Sequence, residues 1–189
     1  MKFVEPIRDE RKIKSMKKIL KAQSDRDHLL FSVGINSPYR IGDLIQFQFQ
    51  HLVDEKGKVL SHFHITEKKT GKVNQIVIGN SLQKDIAQYM DRYFKGDYNA
   101  YVFQSQKGNN QSISREHAWY IISQAAKEVG LKNIGAHSMR KTFGYHLRKK
   151  GTDIELIMEL LNHSSTRETL RYIGITQDEK DHAVLSLDL

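Results

Sequence analysis

Late in the chain stand His137-Ser138-Met139-Arg140, then Leu161-Asn162-His163, and then Tyr172. On a helix, positions three apart share a face, so His137 and Arg140 point the same way. His163 follows Arg140 by 23 residues, and Tyr172 follows His163 by nine. An arginine and two histidines converging on a tyrosine form a plausible phosphate-activating site, with the phenol oxygen as nucleophile. Displacement at a phosphodiester needs positive charge on the non-bridging oxygens, an in-line nucleophile and a proton donor for the leaving oxygen.

Arginine suits the first task, because its planar fork binds two phosphate oxygens and keeps its charge. Arg140 is one such residue. Arg40 is a second, opening Arg40-Ile41-Gly42-Asp43-Leu44, where Asp43 can hold the guanidinium. Lys69 stands at a turn, where a lysine can protonate a leaving hydroxyl. His137 and His163 can donate hydrogen bonds or carry the nucleophile's proton. Tyr172 joined covalently to phosphate conserves the bond energy, so no metal or ATP is required.

Each piece has a plainer reading. Arg40 and Asp43 at helical spacing are by default a surface ion pair. Lys69 is flanked by Lys68 and Lys72, and lysines near turns are usually solvated. Tyr98, Tyr101 and Tyr145 are rival tyrosines, but only Tyr172 follows His163 at this distance. His62 and His64, two apart on a strand, face one side and can ligate a metal. No carboxylate or cysteine pattern accompanies them, so an exposed strand is the better reading.

The elements that must position these residues are mostly helical. Residues 9–23 carry Ile13, Met16 and Leu20 on one side and lysines on the other, a solvated face with an alternative role along DNA phosphates. Ser24-Asp25 caps a second helix ending near Gly34. Ser37-Pro38 reads as the start of a third, carrying Arg40, Ile41, Leu44 and Ile45. The period then changes: His62 to Thr66 alternates, Lys69 to Lys72 turns, and Val73 to Ile78 returns, giving a β-hairpin. Asp54 to Gly57 forms an earlier turn, with a further strand expected just before it. Helical period resumes with Leu82, Ile86, Tyr89, Met90 and Tyr93. It continues through Ala118 to Val129, through His137 to Lys149, and through a segment capped by Thr152 and Asp153. Tyr172 lies beyond that segment, before a polar tail.

The 189 residues suit one domain. Thirty Lys and Arg against 22 Asp and Glu give a net charge of +8, which suits a polyanion such as DNA, RNA or an acidic membrane surface. There is no cysteine, which excludes disulfides, thiolate nucleophiles and Cys-based zinc sites. No apolar stretch approaches the roughly 20 residues of a membrane span, and the first residues lack a signal peptide's apolar core. A cytoplasmic protein is expected.

Taken in order, Arg40-x-x-Asp43-Leu44, Lys69-Thr70-Gly71, His137-x-x-Arg140-x-Thr142-Phe143, Leu161-x-His163-Ser164-Ser165 and Tyr172 resemble the signature of the tyrosine recombinases, the phage-integrase family. The resemblance spans roughly residues 10 to 180. It implies a mainly helical α+β fold, the DNA breaking-rejoining catalytic domain with a small antiparallel sheet. It also implies that Tyr172 forms a 3′-phosphotyrosyl bond and releases a 5′-hydroxyl. Arg40, Arg140, His137 and His163 would stabilise the pentacoordinate phosphorus, and Lys69 would be the general acid. Strand exchange in a tetramer on double-stranded DNA would follow, giving integration, excision or inversion without a cofactor. The apolar end, Val184 to Leu189, would pack in cis or dock on a neighbouring protomer.

The chain also departs from the pattern. Too few residues precede Arg40 for the usual N-terminal core-binding domain, so residues 1–189 read as one catalytic domain. That is expected of a fragment, or of short members such as the fimbrial DNA invertases. Asn162 replaces the usual glycine before His163, and Tyr39 the usual leucine before Arg40. Competing functions are a type IB topoisomerase-like enzyme and an inactive or truncated integrase-like DNA-binding regulator. A metal-dependent nuclease lacks its paired carboxylates.

Overall fold

The computed structural model describes residues 4–66, 73–175 and 184–187. Helix α1 (Glu10–Gln23) starts where the Asp9 carboxylate accepts from the Arg11 N–H, and it buries Met16 and Leu20. Ser24 caps α2 (Asp25–Ile35) by accepting from the Asp27 N–H, and every residue of α2 from Asp27 to Gly34 is buried. A helix buried on every side lies in the interior, and α2 takes Asp27, His28 and Ser32 into the core with it. Around α2 pack α1, α4 (Asn80–Tyr93) and α6 (Ala136–Lys149). Gly34 lets α6 approach closely, since a Cβ there would lie 2.5 Å from the sulfur of Met139.

Strand β1 (His62–Thr66) pairs antiparallel with β2 (Val73–Val77), Phe63 opposite Ile76. Phe63 faces inward and His64 outward, as strand alternation requires. Phe63 joins Tyr39, Phe47 and Phe103 in an aromatic cluster within the main core, with Tyr39 edge-on to both Phe47 and Phe63. Tyr39 thus serves as a core aromatic beside Arg40. The exposed-strand reading holds for His64, while His62 is half-buried.

Helix α5 (Arg115–Glu128) buries Ala118, Ile121, Ile122, Ala125 and Ala126. A short α7 (Ile154–Leu160) follows Asp153, and α8 (Thr166–Ile173) ends at Gly174 in the left-handed conformation, φ 76°. These two helices enclose a smaller core of Ile157, Leu161 and Ile173 against α6. No helix among the described residues is long and apolar enough to cross a membrane.

Five local expectations are corrected. The third helix is only one turn, α3 (Ile41–Leu44), and Arg40 is its extended N-cap, φ −72° and ψ 149°. Ser37 does not cap forward, because its hydroxyl donates back to the Val33 carbonyl at the end of α2. The strand expected before Asp54 is instead a 3₁₀ turn, Phe49–His51, followed by an isolated bridge between Val53 and Val59. The lysines of α1 are not uniformly solvated: Lys17 pairs with Asp85 at 3.3 Å, Lys21 with Asp25 at 2.6 Å, and Lys12 donates to the Val129 carbonyl. Near the end of the chain, Val184, Leu185 and Leu187 are exposed rather than packed in cis.

Candidate active site

Arg140 is set by the first half of α6. The helix begins at a Gly135 N-cap whose N–H donates to the Ser138 hydroxyl at 3.1 Å. One turn on, Arg140 is 5% exposed and its guanidinium donates to the Leu161 carbonyl. That bond ties α6 to the end of α7, immediately before Asn162 and His163. Asn162 has φ 49°, a left-handed conformation that glycine and asparagine adopt most readily. The local geometry therefore explains both the family's usual glycine and the asparagine that replaces it.

His163 then enters the site, and the Ser165 cap starts α8, which carries Tyr172. The His163 and Tyr172 rings meet edge to face, with centroids 4.7 Å apart at 76°. The Arg140 guanidinium carbon lies 5.8 Å from the Tyr172 ring centroid. His163 Nδ1 is 3.1 Å from the Thr169 hydroxyl, which itself donates to the Ser165 carbonyl at 3.0 Å. Because that hydroxyl proton is committed, Nδ1–H must donate to Thr169, leaving Nε2 as the imidazole's basic nitrogen.

The charges of the site agree with this convergence. Burial pushes the Tyr172 phenol above its ordinary pKa, while Arg140 and Arg40 pull it down. Desolvation lowers His163, and Arg140 and Arg40 lower it further against the opposing Glu168. His137 is exposed at the start of α6, yet partial desolvation lowers it too, followed by Arg140, Arg115, Lys141 and Arg40. Both imidazoles are therefore neutral near pH 7, ready to accept a proton beside a protonated phenol.

The structure thus brings Arg40, His137, Arg140, His163 and Tyr172 into one electrostatic neighbourhood. Lys69, the sixth residue singled out, lies outside the described residues. Other contributors are missing from the sequence reasoning. The Arg115 guanidinium rests on Gly42, where a Cβ would come within 2.6 Å of Nη2. One turn along α5, Trp119 covers Gly135, whose Cβ would come within 2.7 Å of the indole. Lys141, 6% exposed, places Nζ 5.2 Å from the Tyr172 ring centroid. Arg8 donates to the Gly174 carbonyl at 2.6 Å, and the Ile7 N–H to the Thr142 hydroxyl at 2.8 Å. Only Lys141 had a sequence signal, its place directly after Arg140; the other contacts join segments far apart in the chain.

Residues 9–179 match the phage integrase family. The chain is 39% identical over 178 residues to the Probable integrase/recombinase YoeC of Bacillus subtilis (strain 168), covering 94% of this chain and 93% of that protein. It is 27% identical to the tyrosine recombinase XerA of Pyrococcus furiosus, covering 93% of this chain but 59% of the relative. Among solved structures, a XerA recombinase superposes with a TM-score of 0.77 at 20% identity, covering 98% of this chain and 65% of that one. The fold is therefore that of a tyrosine-recombinase catalytic domain. With a family match across nearly its whole length and a close relative of its own size, the chain belongs to the phage integrase family, the tyrosine-type site-specific DNA recombinases.

Proposed function

We propose that residues 1–189 act as one catalytic domain that cuts and rejoins double-stranded DNA at specific sites through Tyr172. The Tyr172 oxygen attacks the scissile phosphorus, and the bond from phosphorus to the 5′ oxygen breaks, leaving a 3′-phosphotyrosine and a 5′-hydroxyl. Arg40 and Arg140 carry the charge that builds on the non-bridging oxygens. A neutral imidazole, His163 through Nε2 or His137, takes the phenol proton. Lys69 supplies the proton to the leaving oxygen. Attack by a 5′-hydroxyl from a partner strand reverses the chemistry and joins new ends.

The observation that carries this reading is the packing of Tyr172 between His163, at 4.7 Å, and Arg140, at 5.8 Å. A tyrosine serving only the core has no use for a buried arginine and a neutral histidine on its ring. The net charge of +8 supports a DNA partner bound through phosphates. Exchange between two duplexes calls for four active sites, hence a tetramer on DNA, with the exposed turn at Val184 to Leu187 available to a neighbouring protomer. Its setting is the cytoplasm, where a phage or other mobile element meets the chromosome.

Covalent trapping tests the proposal. The protein is incubated in EDTA with nicked suicide duplexes drawn from the DNA flanking its gene, and SDS-resistant adducts are sought. An adduct present with wild type and absent with Tyr172→Phe is expected. DNA binding that is steeply salt-dependent but yields no adduct would instead favour the inactive regulator.

A further inference from the structure

We propose that Lys141 is a positioning residue of the nucleophile, its buried ammonium holding the Tyr172 ring docked against His163. The proposal rests on the reading of Tyr172 as the attacking group, and it explains a residue which that reading leaves without a task. Lysine is almost never fully buried unless something compensates the charge. Here Lys141 is 6% exposed, with Nζ 5.2 Å from the Tyr172 ring centroid. An ammonium over an aromatic face is attracted by the ring's quadrupole, more strongly when water is excluded.

Its neighbours fit a positioning role. Arg140 and Lys141 are consecutive on α6 and so project about 100° apart. That spacing lets the two cations contact one ring from different directions, at 5.8 Å and 5.2 Å. Nζ of Lys141 lies over the face of the Tyr172 ring, while Arg140 and Arg40 lower the phenol's pKa. Burial lowers the proton affinity of Lys141, Glu5 raises it and Arg8 lowers it, so the charges of the N-terminal segment act on the ammonium. Glu5 and Arg8 are themselves paired at 3.3 Å.

A clamp is needed because α8 is only eight residues long and rests on a small core of three fully buried side chains. A helix of that length is marginal without tertiary contacts. Loss of in-line geometry by about 1 Å is enough to slow chemistry roughly a hundredfold.

The experiment compares the wild-type chain with Lys141→Met, Lys141→Gln and Lys141→Arg, each checked for folding by circular dichroism. Two rates are measured. One is single-turnover adduct formation on a suicide duplex at saturating DNA. The other is acetylation of Tyr172 by N-acetylimidazole without DNA, mapped by peptide mass, with exposed Tyr120 as internal control. In the two neutral variants we expect adduct formation roughly ten- to hundredfold slower. DNA affinity should stay within about twofold and acetylation of Tyr172 should be several-fold faster. Lys141→Arg should restore both rates. Wild-type rates in the neutral variants would overturn the proposal, as would an arginine variant no better than methionine. If methionine does not fold, the glutamine and arginine pair decides the question. If wild type forms no adduct at all, the nucleophile reading fails, while the acetylation rates still decide whether Lys141 holds the ring.

Discussion

His163 and Thr169 are joined by a 3.1 Å hydrogen bond that reaches from the approach to α8 onto the helix that carries Tyr172. One eight-residue helix therefore sets both Tyr172 and the tautomer of the imidazole beside it. Thr169→Val keeps the shape but removes the acceptor for Nδ1–H, freeing the ring to take the other tautomer. Single-turnover cleavage should fall roughly tenfold, with Thr169→Ser close to wild type. DNA affinity should be unchanged, so the effect would appear in the rate at saturating substrate.

Stability should decline on mild acidification. His28, His51, His137 and His163 all hold protons less tightly in the fold, desolvation being the first cause at each. The unfolded chain, with histidines titrating near 6.5, then binds more protons than the native state below that pH. Their contribution is complete above about 6.5 and is lost as pH falls toward the lower native values. The melting temperature should drop between pH 7.5 and 5.5, and His28→Gln, at a buried site, should flatten the slope.

Asp25 acts in the same sense at lower pH, through partners that favour its charged form. Its carboxylate accepts from Lys21 at 2.6 Å, Arg92 at 2.7 Å and Tyr93 at 3.1 Å, which takes its pKa from 3.8 down to about 2. The stabilisation is present above the unfolded value and disappears as pH falls through the native one. Asp25→Asn should cost about 2 kcal/mol at pH 7 in urea unfolding. The gap from wild type should close as the pH approaches 2.

Gly144 sits where α8 crosses α6, and a Cβ there would lie 2.8 Å from Ile173 and 3.1 Å from Leu161. Alanine gains about 1 kcal/mol of helix propensity, but overpacking a filled core costs about 1–3 kcal/mol. Ile173 and Leu161 are fully buried and have no room to swing away. Gly144→Ala should lower the melting temperature and slow cleavage, because the displaced residue is the immediate neighbour of Tyr172.

Much of this was legible from local patterns. Asp9, Ser24, Ser114 and Asp153 each cap a helix with a side-chain oxygen, and the apolar period of α4 and α5 matches their buried faces except at Tyr93, which is 46% exposed. The hairpin strands also fell where alternation put them. Helix α8 was passed over although its start is written as Ser165-Thr166-Arg167-Glu168, a cap followed three residues later by glutamate. Glu168 indeed accepts from both the Ser164 N–H and its hydroxyl. Misassignment at Ser37 has a different origin, since its hydroxyl serves the preceding helix and sequence does not reveal that direction. Arg115, Trp119 and Arg8 were invisible because their partners, Gly42, Gly135 and Gly174, carry no side chain to suggest a contact.

The Arg8 to Gly174 bond spans 166 positions and links the first described residues to the cap of the helix that carries Tyr172. Arg8 also stacks its guanidinium 5.5 Å from Tyr145, and the Ile7 carbonyl accepts from His146, so this segment is stitched to α6 as well. The two ends are therefore expected to open as one cooperative unit in native-state hydrogen exchange. The α8 amides and the Ile7 amide should exchange with a common free energy, below that of α2 in the interior. Loosening of Tyr172 would then be thermodynamically linked to the unpeeling of residues 5–8, and anything that grips those residues would tune how firmly the tyrosine is held.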